Sequence, residues 1–280
     1  MQTVMELPGT KFLPARLSRF TTFLLAAGLG LPSAVGSQTA KELIGVACYN
    51  ELQQRENKTL WSYRAERRIG NHVFLEQVIE TVDGPLDRLL AIDGHPPTPA
   101  ERKEEENRQQ ELLKNSSGRH AIQKERDDDD RKMAELLGVI PEAFVFEDQG
   151  REGESEKIAF HPNPGFKPKT YEQRILHALE GIVLVDLHDQ RIVRLSGSLQ
   201  ERVEFGYGLI GHVEQGGTMD IRRIRLAAGV WKISAESIDM EGRLVLLKTI
   251  GRHQNESRTG FEPVAADTTY AQALDEIGKK

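Results

Sequence analysis

The sequence predicts a mainly β (α+β) fold: a curved antiparallel half-barrel sheet wrapped on a helix, with an inserted charged helical arm. Three observations predict it. One amphipathic helical stretch, at about residues 40–55, precedes all strand character. Some eight or more strand-like segments follow, joined by short turns and without the helix–strand alternation of a parallel sheet. An almost wholly polar helical stretch at about 98–137 interrupts that series.

Residues 1–36 are read apart from the fold. Lys11, Arg16 and Arg19 precede an apolar run from Phe20 to Leu31, and the small residues Ala34 and Gly36 stand at −3 and −1 to a cut before Ser37. That is the order of a secretory signal peptide. An uncleaved anchor and a buried helix are the alternatives, although the run is shorter than a spanning helix needs. The expectation is an exported, periplasmic protein with no stable transmembrane segment after cleavage. The rest divides into a half-barrel domain at 37–256, carrying the arm, and a tail at 257–280 with a weak helical signal at Tyr270 to Ile277.

The first helix is signalled by the capping-box spacing of Thr39 and Glu42 and by an apolar stripe of Leu43, Ile44, Ala47, Cys48 and Leu52. Cys48 is the sole cysteine, so a disulfide framework within the chain is excluded. Its place on the stripe makes it a small core residue rather than a lipidated one.

The first strand, WSYRAERRI from Trp61, alternates Trp61, Tyr63 and Ala65 against Ser62, Arg64 and Glu66. Turns at Gly70-Asn71 and Asp83-Gly84 join it to NHVFLEQVIETVDG and PLDRLLAIDG. The arm opens with Thr98, Pro99 and Glu101, another capping box with proline at the first helical position. Its clear apolar end is Met133, Ala134, Leu136 and Leu137, and Gly138 is expected to stop it. Phe144 and Phe146 follow, then a Pro-rich loop, and strand signals run from Ile175 to about His253. Glycines 197, 206, 208 and 211 are read as points where long strands bend.

The formal charge is −6, from 37 basic and 43 acidic residues, which argues against a nucleic-acid protein built on a basic surface. No nucleophile elbow, phosphate loop or H-E-x-x-H motif is present, and no two of the eight histidines stand at helical ligand spacing. Asp127 to Asp130 lack the alternation and glycine of a calcium loop and read as a solvated helix face. Glu180 with Asp186 or Glu204 is the one candidate carboxylate pair. No catalytic residue, metal or cofactor is therefore expected.

What remains is a curved sheet with an apolar side that one helix leaves partly open. The candidate lining residues are Trp61, Tyr63, Phe74, Leu184, Phe205, Tyr207, Leu209, Trp231 and Ile233. The competing reading is that they only fill the core.

The helix after the apolar run, the strand WSYRAERRI, the hairpin NHVFLEQVIETVDG–PLDRLLAIDG and the segment LEGIVLVDLHDQRIVRLSGSL from Leu179 to Leu199 resemble the outer-membrane lipoprotein-sorting superfamily of periplasmic carriers and envelope sensors. The phrases HPPTPAERKEEENRQQELL and HPNPGFKPKT are similar to those of uncharacterised exported proteins of soil Acidobacteria. The resemblance implies a half barrel that shelters acyl chains of lipids or acylated proteins, without catalysis. The arm departs from a compact carrier. It supports an alternative, an envelope scaffold or stress sensor that binds another protein through the arm; an unrecognised hydrolase is the third reading.

Overall fold

The computed structural model describes residues 38–56, 59–205, 211–244 and 252–278. Residues 38–280 form one compact unit. Residues 1–36, expected to be a signal peptide, lie outside the described residues. Among the described residues, five helices and thirteen strands make up a mixed α/β fold. In chain order they are α1 (Ala40–Glu56), β1 (Trp61–Ile69), β2 (His72–Ile79), β3 (Leu86–Ile92), α2 (Pro99–Lys114), α3 (Ser116–Ala143), β4 (Phe144–Glu152), β5 (Ser155–Pro162) and α4 (Tyr171–His177). There follow β6 (Leu179–Asp186), β7 (Arg191–Leu199), β8 (Val203–Phe205), β9 (Gly211–Val213), β10 (Thr218–Ala227), β11 (Val230–Met240), β12 (Gly242–Leu244), β13 (Arg252–Pro263) and α5 (Tyr270–Gly278). None of these helices is long and apolar enough to cross a membrane.

Ten strands form one antiparallel sheet in the order β3-β2-β1-β13-β11-β10-β7-β6-β5-β4. A three-stranded sheet, β12-β9-β8, stands apart. The large sheet is open: β3 and β4 end it and do not pair with each other. This corrects the half-barrel expectation and, with it, the carrier-like architecture. Of the four glycines read as bends, Gly206 and Gly208 lie outside the described residues and the other two do other things. Gly197 stands in register opposite Gly181, and Gly211 begins a short strand of the second sheet. β7, which carries Gly197, stops at Leu199. Nor does the sheet wrap a single helix.

Register fixes which side chains share a face, because directly opposed residues project the same way. Ile92, Phe74, Arg67, Glu256, Glu236, Ile221, Leu195, Val183, Ile158 and Asp148 form one continuous row across all ten strands. On that face α1 packs over β4, β6 and β7 and against α3. The resulting core holds Ile44, Ala47, Cys48, Phe144, Ile158, Phe160, Val183 and Val185. Ile79 is one residue out of step with Val78, so it points to the opposite face. There Ile79 and Leu86 meet Tyr270, Ala273 and Ile277 of α5.

Both capping boxes form. Thr39 N–H donates to Glu42 Oε2 at 2.8 Å, and Glu101 N–H donates to Thr98 Oγ1 at 3.3 Å. The arm is two helices, docked by more than its apolar end. Leu112 and Leu113 pack beside α5, and Gln109 is buried, donating to the Asp87 carbonyl at 3.1 Å. Gly138 does not stop α3, which runs on through Pro141 to Ala143. Glycine inside a helix costs about 1 kcal/mol. Burial of Leu137 and Ala143, with Ile140 packed beside them, offsets that cost.

Candidate functional site

On the α1 face, five adjacent strands lay down an apolar floor. It runs from Phe144 and Phe146 of β4, through Phe160 of β5, Leu179 and Val183 of β6 and Ile192 and Leu195 of β7, to Met219 of β10. The roof is Ile44 of α1, Ile140 of α3 and Leu176 of α4. Every lining side chain is hydrophobic. Strands stand ~4.8 Å apart, so the seam spans about 19 Å from β4 to β10. Its free volume is about 30 Å³. That is room for a few water-sized guests at most, so the protein's own side chains nearly close the seam.

Two glycines explain how it closes. Phe160, Gly181, Gly197 and Met219 are opposed in register across β5, β6, β7 and β10. A Cβ on Gly197 would stand 3.2 Å from Phe160 Cζ and 2.9 Å from the Glu180 carbonyl oxygen. The glycine therefore makes room for the Phe160 ring, which Phe144 meets edge-on with centroids 5.0 Å apart.

The C-terminal end of α1 is held by polar groups instead. Arg191 Nε and Nη2 donate to the two Glu51 oxygens, 3.1 Å each, and its Nη1 donates to the Asn50 carbonyl at 2.6 Å. Arg223 also pairs with Glu51. Gln54 donates to the Trp231 carbonyl at 2.6 Å, and the Trp231 indole N–H donates to Asp189 Oδ2 at 2.9 Å. Burial, aided by the nearby Arg223 charge, lowers the Arg191 pKa against the pull of Glu51. Burial opposes ionisation of Asp189, but hydrogen bonds from His188 and Trp231 and the Arg225 charge hold its carboxyl below the usual range.

The same face turns ionic between β10 and β1. Arg67 donates to Glu256 at 2.9 Å and lies 2.9 Å from Glu76, and Arg258 reaches Glu256 at 2.5 Å. The Arg258 guanidinium also sits 5.6 Å from the centroid of the Tyr63 ring. Burial pushes the Tyr63 hydroxyl up to about 12, against the Arg258 charge. The apolar seam therefore ends at β10.

Of the nine candidate lining residues, Trp61, Tyr63, Phe74, Leu184, Trp231 and Ile233 do not line the seam. Trp61 and Tyr63 form a separate buried cluster with Ala65 and Val78. Phe74, Trp231 and Ile233 share the α1 face by register, on β2 and β11. Leu184 points to the opposite face, being one residue out of step with Val183. Phe205 belongs to β8 of the small sheet, and Tyr207 and Leu209 lie outside the described residues. The sequence reading passed over Phe160; the signal was an aromatic opposite glycines.

Glu180 and Asp186 do not assemble as a carboxylate pair. Glu180 and Asp186 stand at opposite ends of β6, about 20 Å apart at the rise of a strand. Paired glycosidase carboxylates need roughly 5–9.5 Å. Asp186 instead accepts from Asp189 N–H at 2.6 Å, and Glu204 lies 3.8 Å from Arg202. Among the described residues no three His, Cys, Asp or Glu side chains come together as a metal set. No family model, no curated protein and no solved structure matches this chain.

Proposed function

We propose that this protein is a non-catalytic binding protein for an extended apolar chain, such as the acyl tail of a lipid or of an acylated protein. The single observation that carries the reading is the seam itself: eleven hydrophobic side chains, unbroken by a polar one, crossing five strands under three helices. Its length of about 19 Å suits a linear chain laid across the strands. Each buried CH₂ contributes about 0.8 kcal/mol. Loading requires the roof side chains Ile44, Ile140 and Leu176 to move outward while Glu51, Arg191 and Arg223 keep the far end of α1 in place.

The test is native mass spectrometry of full-length protein purified from its own host, with a titration by cis-parinaric acid, a fluorescent fatty acid. The expected result is a co-purified acyl lipid and saturable binding at one site, with a shifted Met219 methyl resonance. Absence of lipid together with non-saturable fluorescence, or binding that leaves the Met219 methyl unmoved, overturns the reading.

A further inference from the structure

The two edges of the large sheet are treated differently. At the β3 edge, Arg108 and Gln109 of α2 donate to the Asp87 carbonyl at 3.2 and 3.1 Å, so helix side chains cap the strand. At the β4 edge no described strand or helix does the same.

The register identifies which β4 groups face outward. Asn163 N–H donates to the Ala143 carbonyl at 2.9 Å, and the pairing continues with Val145 opposite His161 and Glu147 opposite Ala159. In an antiparallel ladder these alternate pairs exchange hydrogen bonds and the intervening ones do not. Phe144, Phe146 and Asp148 are the intervening residues, opposite Pro162, Phe160 and Ile158. Pro162 has no N–H to give, in agreement with this assignment. The N–H and C=O groups of Phe144, Phe146 and Asp148 therefore point away from the sheet. The ladder stays regular from Phe144 to Asp148 and breaks in a bulge between Asp148 and Arg151.

The edge also carries an excess of negative charge. Glu142, Glu147, Asp148, Glu152 and Glu154 are all exposed, with Arg151 the only base between residues 142 and 154. Counting the adjoining Glu156, Lys41 and Lys157, six carboxylates face three cations. Such an edge repels a second copy of itself and attracts a basic segment. Val145, at 45% exposure, supplies an apolar contact beside the carboxylates.

We propose that the open edge of β4 takes up an extended, Lys- or Arg-bearing segment of another protein by strand addition. Main-chain hydrogen bonds to Phe144, Phe146 and Asp148 hold the segment, and the surrounding carboxylates select its basic side chains.

The probe is a labelled, end-capped octapeptide of alternating Lys and Val, titrated into the full-length chain. The expected result is saturable anisotropy that weakens as salt is raised, with new amide-exchange protection at Phe146 and Asp148. A peptide of the same charge with alternate backbone amides N-methylated should bind at least tenfold more weakly, because it lacks the donors. Glu147→Lys should weaken the unmodified peptide about threefold or more. No saturable binding, equal binding of the methylated peptide, protection confined to other strands, or self-association of the chain through β4 would each overturn the proposal.

Discussion

Arg191 grips Glu51 through two parallel hydrogen bonds of 3.1 Å each, joining the last turns of α1 to the start of β7. Both side chains are nearly buried, at 6% and 11% exposure, and Arg223 pairs with the same carboxylate. One carboxylate thus answers two guanidiniums.

Glu51→Ala should accordingly be among the most damaging single changes on α1. It leaves Arg191 and Arg223 without their anion, and breaking a buried pair from one side costs roughly 3–5 kcal/mol. Urea unfolding of the variant checks this. A loss under 1 kcal/mol means that water already reaches the guanidiniums.

Gly197→Ala should destabilise by about 1–3 kcal/mol, the usual penalty for overfilling a packed core. The new methyl group meets both Phe160 and the Glu180 carbonyl. Combined with Phe160→Leu, part of that loss should be recovered, giving a coupling of about 0.5 kcal/mol or more in a double-mutant cycle. Strict additivity would show that the ring does not rest on the glycine.

Cys48 should resist thiol reagents in the folded protein. Burial, with the Glu51 charge adding to it, pushes its thiol up to about 12, whereas an ordinary cysteine titrates near 8.5. Labelling at pH 8 should be at least ~100-fold slower than in urea. Native labelling at the unfolded rate would place the inner face of α1 in water.

Asp220 sets an acid limit. Burial opposes its ionisation, but hydrogen bonds from Arg194 and Arg222 prevail and hold its carboxyl below the usual range, as they do for Asp189 by other partners. A depressed folded-state pKa stabilises above the unfolded value near ~3.9 and loses that contribution as pH falls through the folded one. Thermal stability should decline below about pH 4, and Asp220→Asn should flatten the decline. An unchanged acid limb in that variant would remove Asp220 from the account.

The local grammar of this chain was legible in its residues. Thr39 with Glu42 and Thr98 with Glu101 mark helix starts that form as read, and the hairpin at Gly70 turns through a φ of +61°. The alternation of Trp61, Tyr63 and Ala65 gave a buried face correctly. What alternation cannot give is the order of strands. β1 lies beside β13 and β7 beside β10, so two residues on one face can stand half a sheet apart. That separation put Tyr63 and Trp231 outside the seam. Gly197 resisted reading for a related reason: a bend and a close approach use the same residue. Gly138 reads as a stop because its cost is local, while the burial that outweighs it comes from distant parts of the chain.

An unclosed sheet has no single interior. Here Val183 is roofed from one side near β6, and Leu86 from the other near β3. Leu86 and Tyr270 belong to one cluster and Ile44 to another, so peeling α5 from Leu86 should leave the packing around Ile44 intact. The molecule can loosen at either margin without surrendering the other, so its opening transitions need not coincide with complete unfolding.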